Sequence, residues 1–287
     1  MSNSNKSKGI IFMLLATSSF ATMNLFAKLT IGVNPYQKTF ISNFVATIIV
    51  CIILYKNKES FLGSKSNRWI LLTRGIMGTI ALITNYASLQ YLILPNATIL
   101  SKLAPFFTII FSFIFLKEKI TKVQILILLA AFAGSLFVVK PTLDASVIPS
   151  LIAVLSACVA GIAYTMIRKI GTSESFWTVI LSFTGIATIV TFPSMFFNNE
   201  HILGLNLIYL ILSGVSFTLG QVFLTLAYRH APASEISVYD FFGLVLAAIY
   251  GFVLLHEMPD AMSWIGYIII ILISMMNISY SKRLSTK

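Results

Sequence analysis

Charge, cysteine and histidine are all scarce in this chain, and each scarcity removes a class of function. Only 10% of the residues are Asp, Glu, Lys or Arg, while 57% are hydrophobic. A soluble domain carries roughly 25% charged residues, so this chain cannot cover a water-facing surface and reads as an integral membrane protein. The two cysteines, Cys51 and Cys158, both lie inside apolar runs, which argues against a disulfide framework or a thiolate metal site. The histidines His201, His230 and His256 fall at the ends of apolar runs without metal-ligand spacing. Neither a metal site nor an enzymatic nucleophile with its base is expected, and no cofactor is implied. No glycine-rich nucleotide loop occurs in a polar segment, so any energy for work must come from gradients.

What the chain has is apolar length. A membrane-spanning helix needs ~20 mostly apolar residues, and such windows occur at 9–30, 35–55, 69–92, 96–116, 122–140, 148–168, 175–197, 204–228, 234–255 and 262–281. The first is too long for a signal peptide and lacks a small-residue cleavage site, so it reads as a first span. With the amino terminus inside, the cytoplasmic segments hold Lys6, Lys8, Lys56, Lys58, Lys65, Arg68, Lys117, Lys119, Lys122, Arg168, Lys169, Arg229, Lys282, Arg283 and Lys287, and the outer ones only Lys28, Lys38 and Lys140. This positive-inside bias places both termini in the cytoplasm. It also explains the formal net charge of +11 by topology rather than by nucleic-acid binding. A cell membrane, inner or plasma, is the expected location, with lipid as the surrounding partner.

The windows repeat. Ala16, Met23 and Lys28 lie 141 residues before Ala157, Tyr164 and Lys169, while Gly75 lies 139 before Gly214 and Ala87 lies 140 before Ala227. Leu116-Lys117-Glu118 precedes Leu255-His256-Glu257 by 139. Five helices are an odd number of crossings, so a second copy enters the membrane from the opposite side, the ground plan of many secondary transporters. The expected fold is therefore all-α, with ten transmembrane helices in two inverted five-helix repeats, 1–140 and 148–287, joined near 141–147.

Several segments carry a family likeness: Arg74-Gly75, Asn85-Tyr86-Ala87, the run from Pro95 to Phe107, Leu116-Lys117-Glu118, Tyr239-Asp240-Phe241 and Glu257-Met258-Pro259. In their order and spacing the chain resembles the EamA-type branch of the drug/metabolite transporter superfamily over nearly its full length. The resemblance implies a central cavity lined by helices 1, 3, 4, 6, 8 and 9, peripheral helices 5 and 10, and alternating access without a catalytic triad or metal. Its members move amino acids, metabolites and drugs in either direction, so a small-molecule substrate is implied but not its identity. Lys102 departs from the pattern, standing where many relatives carry an uncharged residue.

Three charges fall in the central parts of the windows, away from their ends: Arg74, Lys102 and Asp240. Such residues usually face a bundle interior or a watery cavity. Counting ~1.5 Å per residue along each helix puts Arg74 and Asp240 at one level, ~7–8 Å from the cytoplasmic side, and Lys102 ~9 Å from the opposite side. The expectation is an Arg74–Asp240 pair acting as a cytoplasmic gate, with Lys102 projecting into the outer half of the chamber toward an anionic group. The competing readings let Arg74 and Lys102 snorkel to their nearer interfaces and make Asp240 a permanently paired structural acid. An unpaired Asp240 would be a proton-binding group and a route to proton coupling, and with Lys102 it could hold a zwitterion. Asn24, Asn85, Tyr86, Tyr164, Gln221 and Tyr239 are the polar residues expected to orient a ligand, with interhelical hydrogen bonding as the alternative. Pro105 removes a backbone donor one turn from Lys102 and should bend the fourth helix, as a hinge or a static kink. The reading is a secondary active transporter for a small polar or zwitterionic metabolite, acting as a monomer or homodimer. A channel, a sensor or, less well supported, a membrane enzyme are the alternatives.

Overall fold

The computed structural model describes residues 3–117, 121–139, 147–171, 173–196, 202–230, 239–240 and 242–285. Among these residues all regular structure is helical. In chain order the helices are α1 (Asn3–Leu29), α2 (Pro35–Asn57), α3 (Arg68–Leu89), α4 (Leu94–Ser101), α5 (Ala104–Leu116), α6 (Lys122–Val139), α7 (Ile148–Ile170), α8 (Phe176–Thr191), α9 (Leu205–His230), α10 (Phe242–Leu255) and α11 (Ala261–Ser285). Among the described residues seven stretches are long and apolar enough to cross a membrane, with α4 and α5 counting together as Leu94–Leu116. Shorter apolar helices occupy Ile125–Val139, Phe242–Leu255 and Ala261–Asn277. The chain is a multi-pass membrane protein.

The fourth apolar window is not one rod. Lys102 and Leu103 donate their backbone N–H groups three residues back, to Ile99 at 3.0 Å and Leu100 at 3.1 Å, and the chain re-enters helix at Ala104. Pro105 stands in the first turn of α5, where its missing N–H is harmless, whereas an unbroken helix would have needed that donor for the Ser101 carbonyl. The bend expected at Pro105 is therefore an interruption centred two residues earlier. A second difference concerns the ninth window. Helix α10 starts at Phe242, and Asp240 belongs to a short turn before it. The expected join near 141–147 falls, except for Val147, outside the described residues.

Polar caps set the other ends. Asn34 accepts the Tyr36 N–H at 2.9 Å, and Pro35 opens α2, as a capping side chain and an N-terminal proline should. Ser175 does the same for α8 through Trp177 N–H at 3.2 Å. Apolar residues left exposed, such as Leu126 and Leu129 on α6 and Ile268 and Leu272 on α11, are the side chains that meet lipid.

Packing follows an exchange pattern. The most extensive partners are α1 with α9, α3 with α7, α6 with α11 and α2 with α8. An offset near 140 makes α7 the counterpart of α1 and α9 the counterpart of α3, so the first two contacts turn into each other when the halves are swapped. The contacts of α2 with α9 and α3 with α8 do likewise, as do those of α5 with α7 and α1 with α10. Backbone contacts repeat the pattern. A Cβ on Gly75 would collide with the Ser182 carbonyl of α8, and one on Gly214 would lie 2.6 Å from the Ser42 carbonyl of α2. Small residues of this kind let membrane helices touch backbone to backbone.

Candidate functional site

The interruption between α4 and α5 aims one cation inward. Lys102 Nζ lies 2.6 Å from Asp240 Oδ2, with the two side chains 15% and 36% exposed. The backbone of Asp240 is held from α1, because the Thr17 hydroxyl donates to its carbonyl at 2.9 Å. Gly243, one turn further on, packs against the same threonine with no room for a Cβ. Across the space, Tyr164 of α7 is 46% exposed and lies within electrostatic range of both Asp240 and Arg74. Tyr164 is thus an exposed phenol close to two interior charges, one on α3 and one in the turn before α10.

Arg74 takes an unexpected place. It is 4% exposed, and its guanidinium carbon sits 4.7 Å from the centroid of the Phe183 ring of α8. Its Nη1 fills the notch that a Cβ on Gly78 would occupy. Its Nε has no hydrogen-bond partner, and no described residue forms an ion pair with it. A desolvated cation–π contact is worth ~2 kcal/mol, whereas burying an ion costs several kcal/mol after relaxation. The ring alone leaves Arg74 undercompensated.

The expected Arg74–Asp240 gate is thus replaced by a Lys102–Asp240 pair, and neither Arg74 nor Lys102 snorkels to an interface. Lys102 stands at the break between α4 and α5, and its long side chain reaches Asp240 in the turn before α10. Tyr86 also requires correction. It is 1% exposed, with its hydroxyl 3.3 Å from Ser213 and 3.5 Å from Ser42, so it ties α3 to α9 and α2 rather than facing a ligand. Asn85 donates to Asn24 at 3.3 Å, joining α3 to α1. Tyr239 packs beside Met13 and Ala227, and Gln221 is half-buried on α9.

A second charged cluster was not anticipated. Lys28 at the end of α1 pairs with Glu257 at 2.7 Å and donates to the Leu92 carbonyl. Glu257 in turn accepts the Leu94 N–H at 2.8 Å, at the start of α4. Buried Lys38 donates to the Ala27 and Thr30 carbonyls at 2.7 and 2.8 Å, closing the C-terminus of α1 as a cation should. The available signal was that Lys28 and Glu257 both end helices on one face of the bundle. A cleft of about 540 Å³ on that rim, lined by residues including Gln37, Thr191 and Ser194, contains none of these charges.

This arrangement offers an interior ion pair, an underpaired buried cation and an exposed tyrosine beside both. The EamA-like transporter family model matches residues 7–140 and again 147–279. The chain belongs to this family. The EamA-like protein is 30% identical over 268 residues to the pseudopaline exporter CntI of Pseudomonas aeruginosa, covering 92% of this chain and 93% of that one. It is 27% identical to mouse solute carrier family 35 member G1, covering 88% and 73% of the two chains. A crystal structure at 14% identity superposes with a TM-score of 0.69 over 97% of this chain and 99% of its own, which supports the fold alone. The family and these relatives are transporters rather than enzymes.

Proposed function

We propose that this EamA-like protein is a secondary active transporter that moves a small polar or zwitterionic metabolite by alternating access between two inverted five-helix halves, residues 1–140 and 148–287. The two family matches and the exchange symmetry of the helix contacts support the paired halves, a plan in which the binding site lies between repeats near interrupted helices. The observation that carries the reading is the Lys102–Asp240 pair at the interruption of α4 and α5, beside the open face of Tyr164. A substrate amine competes with Lys102 for Asp240. Its arrival frees the α4–α5 junction from the turn before α10, and its departure restores the pair. The likeness to an exporter favours outward movement, and the basic loops favour cytoplasmic termini in the cell membrane.

The test is flux in proteoliposomes, using compounds found by thermal-stabilisation screening among amino acids, amines, nucleosides and vitamins. Saturable uptake, accelerated by the same compound on the far side, is expected. Flux that rises linearly without such acceleration would make the protein a channel. Asp240→Asn should also abolish saturable flux, and unchanged flux would remove Asp240 from the scheme.

A further inference from the structure

We propose that Arg74 is the seat of a carboxylate, so that the transported compound carries an acid group as well as the amine assigned to Asp240. The inference rests on the carrier reading and narrows its substrate class. The side chain is 4% exposed, one nitrogen lacks any partner, and the described residues supply it no anion. Gly78 leaves the guanidinium room to lie against its own helix, and the Phe183 ring covers one face. A planar guanidinium stacked on a ring hydrogen-bonds only in its own plane, and there Nε still lacks an acceptor; a carboxylate is the planar acceptor that arginine takes through two parallel hydrogen bonds. Tyr164 links the two ends of the site, because it is within electrostatic range of both Arg74 and Asp240 and its side chain is 46% exposed. An α-amino acid, or a longer compound with separated amine and carboxylate, would place its opposite charges on Asp240 and Arg74. The anionic end falls to Arg74 rather than to Lys102, which Asp240 already holds.

The test uses formate, the smallest carboxylate, on the purified full-length protein, with formamide as its neutral analogue and chloride at equal ionic strength. About 100 mM formate should raise the melting temperature by about 2 °C or more relative to both controls. The increment should vanish in Arg74→Gln and shrink in Arg74→Lys, which keeps the charge and loses the fork. Gly78→Ala retains the arginine and displaces it, so it too should lose the increment. Equal melting temperatures in formate and chloride for the unsubstituted protein would overturn the proposal without recourse to any variant. An increment that survives in Arg74→Gln would assign formate to another cation and equally overturn it. The flux experiment is separate: saturable exchange with no formate response at Arg74 leaves the carrier standing and removes the carboxylate seat.

Discussion

The ion pair between Lys102 and Asp240 should couple measurably, and the two single substitutions should be unequal. At 2.6 Å the bare attraction is ~6 kcal/mol with an effective dielectric constant of ~20. Desolvation opposes it, and Asp240, with 36% of its side chain exposed, shares its charge with water. Between the ~0–1 kcal/mol of a surface pair and the ~3–5 kcal/mol lost when one partner of a buried pair is removed, a value of ~2 kcal/mol is expected. Asp240→Asn strands the more buried cation, so it should lower the melting temperature by about 4 °C, and Lys102→Met, which leaves a hydratable carboxylate, by less. The double variant removes both charges and should regain at least half the sum, giving a coupling of ~1–2 kcal/mol. Melting in detergent for the four proteins of the cycle, each repeated in two salt concentrations, is the assay. Strictly additive losses, or a Lys102→Met loss exceeding that of Asp240→Asn, would refute the reasoning.

Three further outcomes are expected. Glu257→Gln removes the charge that holds Lys28, so a cysteine replacing Tyr164, in a background lacking Cys51 and Cys158, should react faster with an impermeant maleimide added at the face carrying this cluster. Glu174, in the turn between α7 and α8, is held below the ordinary carboxylate range, chiefly by the Ser64 hydroxyl and also by Asn67 and the Ser64 N–H. A lowered folded value means that its contribution is complete above the ordinary value of 4.5 and disappears as pH falls through the lowered one. The melting difference between the unsubstituted protein and Glu174→Gln should therefore narrow on acidification below that value. Gly75→Ala and Gly214→Ala should each destabilise by up to ~2 kcal/mol, because overpacking of ~1–3 kcal/mol opposes a helix-propensity gain of ~1 kcal/mol; stabilisation at either site would contradict the close approach.

Much of this organisation was legible in the sequence. Apolar length is a local property, so the helix ends at Pro35, Lys122 and Ile148 coincide with the expected windows. The recurrence of Gly75 as Gly214 gave the correspondence that the packing follows. The charges were harder to place. Partner choice for Arg74, Lys102 and Asp240 depended on where one helix broke and another began, details that hydropathy does not encode. Tyr86 misled because a polar hydroxyl in a membrane helix serves a ligand and a neighbouring helix equally well, and only the positions of Ser42 and Ser213 distinguish them. Phe183 carried no signal among 23 phenylalanines.

The two glycine crossings limit how this bundle can deform. Where main chain rests on main chain, no side chain can swing aside to absorb a slide, so α3 with α8, and α2 with α9, travel as stiff blades. Bending must collect where the ladder of helical bonds is already cut, at Lys102 and Leu103. On the proposed alternating-access scheme the joint and the lock on it share one residue: whatever loosened Lys102 from Asp240 would also unlatch the axle on which the blades turn.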